Sequence, residues 1–212
     1  MREKTKSGWK QDPAAVKSDI LRVAISLFAA NGLSGTRVEE IAARTKTSKR
    51  MIYYYFGDKE RLYAHCLEKV YADIRDGESA LDLADLAPKD ALARLVAFTY
   101  DHQRRNPDFI RMVMIENIHD ANYLKTSDII RDVNRPVITK LTDIITRGVA
   151  SGEFRDDLDP VELHRHISAL SFFNVSNKGT FSAIYGDALF SETSQERLRG
   201  QVVEMILNFV KA

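Results

Sequence analysis

One cysteine, Cys66, stands in a chain of 212 residues. That scarcity excludes an intrachain disulfide and any thiolate cluster holding a structural metal. A reducing cytoplasm is the expected compartment. No stretch reaches the roughly 18 consecutive apolar residues that a membrane span requires. Met1–Asp12 is basic and polar with no apolar run behind it, so no secretory leader is expected. Glycine-rich phosphate loops and the Gly-x-Ser-x-Gly elbow are missing, which removes the common nucleotide-binding and hydrolase signatures. Sustained alternation of apolar and polar residues is also scarce, so the strand signal is poor.

What is present reads as helix. Apolar residues are 44% and charged residues 29% of the chain, near globular averages and against wholesale disorder. Asp12-Pro13 pairs a cap with a first-turn proline and opens a helix that stops at Asn31-Gly32. Thr36-x-x-Glu39 reads as a capping box for a short second helix. Ser48 caps a third, and Gly57-Asp58 ends it and caps a fourth, Lys59 to about Arg75. Residues 77–87 read as a loop. Pro88 opens a fifth helix, Asp108–His119 fits a sixth, and a seventh covers about 127–151, with Pro136 kinking it or setting its start. Asp159-Pro160 opens an eighth to about Asn177, 178–190 is ambiguous, and Thr193-x-x-Glu196 boxes a last helix. The expectation is an all-α chain of about nine helices.

Charge is divided along it. Residues 1–60 carry twelve Lys/Arg against seven Asp/Glu, a net of +5, while residues 61–212 carry nineteen against twenty-three, a net of −4. A basic head on an acidic body suggests that the head meets nucleic acid. Ser48–Phe56 sharpens this. At about 100° per residue, Lys49, Arg50, Tyr53 and Tyr54 share one arc, with Ile52 and Phe56 nearly opposite. One face can dock on a core and the other can touch a polyanion, as a DNA recognition helix requires. The alternative for this segment is an ordinary helix with snorkelling tyrosines.

Gly32-Leu33-Ser34-Gly35-Thr36-Arg37-Val38-Glu39-Glu40-Ile41-Ala42, followed by Thr47-Ser48-Lys49-Arg50-Met51-Ile52-Tyr53-Tyr54-Tyr55-Phe56-Gly57-Asp58-Lys59-Glu60-Arg61-Leu62, resembles the signature of the TetR family of helix-turn-helix regulators. The likeness covers roughly residues 18–67. It implies a flexible basic arm (1–12), a helix-turn-helix domain (13–58) and a ligand-binding and dimerisation domain (59–212), the helix 59–75 linking the two. Lys49, Arg50 and Tyr53 are the expected base readers, with Met51 at the edge of their arc and Ser48 at the cap. Thr36, Arg37, Tyr54 and Lys59 are expected on phosphate. Arg2, Lys4, Lys6 and Lys10, with Trp9, would add non-specific affinity. Two positions depart from the family pattern. Lys46 stands where Gly is usual and Arg37 where Thr is common; positive φ at Lys46 would cost about 1 kcal/mol, offset by a phosphate contact.

The resemblance further implies a homodimer, a double-stranded DNA operator with palindromic half-sites, and release by a small molecule. Apolar surfaces on the last two clear helices fit a four-helix interface. For the effector, an aromatic or acyl compound, the candidate region comprises Phe98 and His102, then Phe109, Arg111, Met112, Glu116 and Asn117, then His166, Phe173 and Asn174, with Arg111 or His166 pairing a carboxylate. A core or surface role is the plainer account of each. No cofactor or metal is expected. The rival class is a metal-dependent helical-bundle oxidase built on Glu116-x-x-His119. A di-iron site needs a second such pair, which the chain lacks, and His164 and His166 diverge by about 200°.

Overall fold

The computed structural model describes residues 12–45 and 47–212. These divide into two compact units meeting between Cys66 and Leu67. Ten α-helices and two short 3-10 turns make up the regular structure, with no named strand among the described residues; Phe154 and Lys211 share one isolated bridge.

In the first unit α1 (Pro13–Gly35), α2 (Val38–Arg44) and α3 (Lys49–Phe56) are followed by the start of α4 (Lys59–Ser79). Asp12 accepts the Ala14 N–H at 3.0 Å and caps α1 as its residue type dictates. The helix bends at Gly32, whose φ is 69° and ψ 178°. Ile20, Leu27 and Phe28 of α1, Ile41 of α2, Ile52 and Phe56 of α3, and Leu62 and Tyr63 of α4 form the core. Phe28 meets Tyr63 edge to face at 5.1 Å, a geometry aromatic quadrupoles favour.

In the second unit α5 (Pro88–Arg105) is the central helix. It packs on α6 (Pro107–Ile118), α7 (Asp128–Ala150), α8 (Pro160–Ser176) and α10 (Glu192–Val210). Leu92, Leu95 and Val96 of α5 meet Ile144 of α7, Ile167 of α8 and Ile206 of α10 in one core. Truncating one such residue to Ala costs about 2–5 kcal/mol. Within this core Tyr100 Oη donates to Gln195 Oε1 at 2.8 Å and Asn174 Nδ2 to the same oxygen at 2.7 Å. The network ties α5, α8 and α10 at one point. Gly77 of α4 is a second close approach: a Cβ there would lie 2.6 Å from Phe98 Cζ.

Several local expectations are corrected. Thr36 does not cap α2, because its hydroxyl is buried and donates to the Leu27 and Gly32 carbonyls at 3.1 and 2.8 Å. Arg37 occupies the cap position without a side-chain bond. Likewise α10 starts before Thr193, capped by Ser191, whose Oγ accepts the Ser194 N–H at 3.3 Å. α4 runs on to Ser79, trimming the expected loop. α7 begins at Asp128, well before an exposed Pro136, so the proline does not set its start. The ambiguous stretch holds α9 (Lys178–Tyr185) and the 3-10 turn Asp187–Phe190, so the described residues form ten α-helices where about nine were expected.

Candidate nucleic-acid interface and effector region

Ser48 accepts the Met51 N–H at 3.2 Å and starts α3. Gly57, at φ 83°, ends it, a left-handed turn that glycine enters without strain. Burial follows the helical wheel: Ile52 and Phe56 are buried, Met51 and Tyr55 half-buried, and Lys49, Arg50, Tyr53 and Tyr54 exposed. Tyr54 is 76% exposed, far more than packing within its own unit would leave. Tyr55 sits under the Lys17 ammonium at 5.4 Å.

Lys49 is not a free cation. It pairs with Glu39 of α2 and lies 5.6 Å from the Tyr53 ring centroid. The hydrogen bond to Glu39 raises the lysine above its ordinary value and lowers the carboxyl below its own. Both groups are open to water, so DNA phosphate can compete for the lysine. Asp58 accepts the Arg61 N–H at 2.7 Å and caps α4. Lys59, in the first turn of that helix, donates to the Thr36 carbonyl at 3.2 Å. Arg37 is exposed beside this contact, whereas the Thr36 hydroxyl faces inward. The structure therefore gathers Arg37, Lys49, Arg50, Tyr53, Tyr54 and Lys59 on the surface of one small unit, and keeps Thr36 as its internal brace. Lys46 and the arm 1–11 lie outside the described residues.

The expected effector residues fall into three groups. His102 is flanked by Phe98 at 5.7 Å and Phe109 at 6.2 Å, and Tyr71 of α4 meets Phe109 at 5.4 Å. Met112 is buried close by in α6, while Arg111 and Asn117 point to solvent. His166 belongs elsewhere, edge to face with Phe209 at 5.0 Å. Phe173 and Asn174 line an apolar groove between α8 and α10.

Sequence reasoning missed the buried charges. Arg75 pairs with Glu78 and donates from Nε to Asn134 Oδ1 at 2.9 Å. Both ionic side chains are buried, as is the unpartnered Glu78 Oε1, and His102 Nδ1 is also buried without a partner. Burial pushes the Glu78 carboxyl up, against the pull of Arg75. Burial, with Arg75 adding to it, depresses His164 to about 4, and burial lowers His102 as well. Both imidazoles are neutral at pH 7. An Arg-x-x-Glu pair on a helix ordinarily marks a solvated face, so no local signal separated these residues from surface charges.

The Glu116/His119 metal reading finds no support. Glu116 is buried and its Oε2 accepts the N–H groups of Tyr123 and Leu124, each at 3.0 Å, clasping the turn after α6. Among the described residues no three His, Cys, Asp or Glu side chains gather to hold a metal.

Comparison with known proteins agrees with this geometry. Residues 20–66 match the model for bacterial regulatory proteins of the tetR family, and residues 88–206 that for the tetracyclin repressor-like C-terminal domain. The HTH-type transcriptional repressor NicS of Pseudomonas putida is 37% identical over 175 residues, 82% of each chain. The HTH-type transcriptional regulator RutR of Escherichia coli is 29% identical over 150 residues, 71% of this chain and 69% of its own. A tetR-family regulatory protein from Rhodococcus shares the fold with a TM-score of 0.73 at 22% identity, covering 93% of this chain and 97% of that one. No helix among the described residues is long and apolar enough to cross a membrane. Regulators of this family bind operator DNA as dimers and answer to small molecules. The chain belongs to the TetR family: it is a ligand-responsive, DNA-binding helix-turn-helix transcriptional regulator.

Proposed function

We propose that this regulator is a cytoplasmic repressor without catalytic activity, released from a palindromic operator by an aromatic or acyl compound with an acidic group. The reading of DNA rests on one observation above all: α3 buries Ile52 and Phe56 and leaves Lys49, Arg50, Tyr53 and Tyr54 outside. Arg50 and Lys49 donate to guanine edges, Tyr53 meets thymine methyls, and Met51 borders them. Tyr54, Arg37 and Lys59 hold phosphate, as does Lys46. Two copies double these contacts on half-sites about one helical turn apart. The exposed apolar positions of α8 and α10, Val161, Phe173, Met205 and Phe209, support a homodimer through that face.

The effector region lies among α4, α5, α6 and α8. Tyr71, Phe98, Phe109 and Met112 supply apolar walls. Arg75, with His102 and His164 neutral around it, supplies the polar end, replacing Arg111 and His166 in that role. α4 continues from Lys59 to Ser79, so an effector that shifts Arg75 acts on the same helix that carries Lys59. A change in half-site spacing then weakens operator binding.

Replacing Arg50 and Tyr53 together by Ala should lower affinity for palindromes near its own gene at least 100-fold, at about 1–3 kcal/mol per lost base contact. Circular dichroism and sedimentation should not change. Unchanged sequence preference in a binding-site selection would remove the recognition assignment. A thermal-shift screen of small aromatic and acyl acids, repeated on DNA-bound protein, tests the effector: a ligand that stabilises the free protein and loosens the complex is expected.

A further inference from the structure

Glu39 is a carboxylate on a surface that meets a polyanion. Asp19 and Glu40 pair within their own helices, with Arg22 at 2.6 Å and Arg44 at 2.7 Å. Glu39, in the first turn of α2, instead crosses to α3 and pairs with Lys49. Both side chains are exposed, and the lysine ammonium also lies 5.6 Å from the Tyr53 ring centroid. A lysine expected on base edges is thus carried there with an anion attached. Such a charge weakens the general attraction to phosphate, so its use lies in selection.

An ionised carboxylate only accepts hydrogen bonds. Phosphate oxygens and guanine O6 and N7 are acceptors too, and repel it. The donors that the major groove offers are the cytosine N4 and adenine N6 amines. Lysine has three N–H donors. One is used on Glu39, and two remain for the two acceptors of a guanine. The cytosine paired with that guanine gives one amine hydrogen to O6 and turns the other into the groove. A carboxylate one hydrogen bond from the lysine head can take that second hydrogen. The ring then closes, with the ammonium and the amine each donating to both O6 and the carboxylate. An A·T pair offers only the single thymine O4 to the two lysine donors, so G·C is the fuller match. An inverted C·G pair puts acceptors under the carboxylate and an amine under the ammonium.

We propose that Glu39 determines specificity: with Lys49 it reads one G·C pair in each half-site, the ammonium on guanine and the carboxylate on the cytosine N4 amine. This rests on Lys49 as a base reader and adds a second reader from α2. Lysine alone is a flexible point charge that can follow a guanine to either strand. Its two neighbours fix the strand, and the anion rejects the wrong pair at a cost in overall affinity.

Binding-site selection on wild type, Glu39→Ala, Lys49→Ala and the double variant tests this. Preference should relax at one G·C position per half-site in each variant, and the double variant should relax no other. Inverting that pair to C·G should weaken wild type at least about tenfold and Glu39→Ala at most about threefold. Relaxation in Lys49→Ala but not in Glu39→Ala overturns the role of Glu39 and leaves Lys49 in place. Unchanged preference in every variant removes Lys49 as a reader as well. A Glu39-dependent position that selects A·T overturns the G·C assignment.

Discussion

The two units use polar residues in opposite ways. In the first, the only buried polar side chain among the described residues is Thr36, and the chemistry stands outside on α3. In the second, Arg75, Glu78, Gln103, Glu116 and Gln195 are all buried. A surface that must read a polyanion keeps its charges wet and exchangeable. An interior that must tell one small molecule from another keeps polar groups dry, where an unsatisfied partner is costly. Substitutions in the second unit should therefore register as stability, and those on the first unit's surface as DNA affinity.

The largest effect should come from Arg75→Met, which strands the buried Glu78 carboxylate. A loss of about 3–5 kcal/mol is expected in urea unfolding at pH 7, relieved on acidification because burial already favours the protonated acid. The double variant Arg75→Met/Glu78→Met should recover most of it; an unaffected single variant would erase the contrast between units. His164 comes next. With its value depressed to about 4, the unfolded chain binds more protons between that pH and about 6.5. Stability is thus complete above about pH 6.5 and falls as pH drops toward 4, by about 3 kcal/mol. His164→Phe should flatten this slope, and an unchanged profile would move the titrating group elsewhere.

Thr36→Val tests the exception. It keeps the shape but removes the donor to two carbonyls, so a loss of about 1–2 kcal/mol is expected from the first unit, read by the unfolding midpoint. The smallest change should follow Glu39→Gln. Freed of its partner, Lys49 should bind DNA a few-fold tighter, steepening the salt dependence by about one ion per half-site. The unfolding midpoint should stay where it is, because both groups stand in water. A stability change with unaltered salt slope would make Glu39 a structural residue.

Legibility from sequence followed the same divide. The α3 face was readable because burial there obeys local periodicity, and Ser48, Gly57 and Asp58 act within a turn of their own positions. Thr36 was misread because the carbonyls that take its hydroxyl come from Leu27 and Gly32, against a local pattern that pointed forward to Glu39. Arg111 and Arg75 look alike in sequence, each on an amphipathic helix. Only the packing of α4 among its neighbours makes one a surface charge and the other a buried one. Residues 178–190 were ambiguous because Gly179 and Gly186 weaken the helical signal, while only Gly186 breaks the helix, at φ 79°.

Gly77 bears on how this regulator can diverge. Any side chain there would collide with the Phe98 ring, which is stacked beside His102. On the effector reading, a methyl added on α4 reshapes the space next to His102 without touching what fills it. Inducer preference can then drift between gene duplicates through a residue that meets neither the inducer nor DNA, and an alignment restricted to contact residues would see two identical sites.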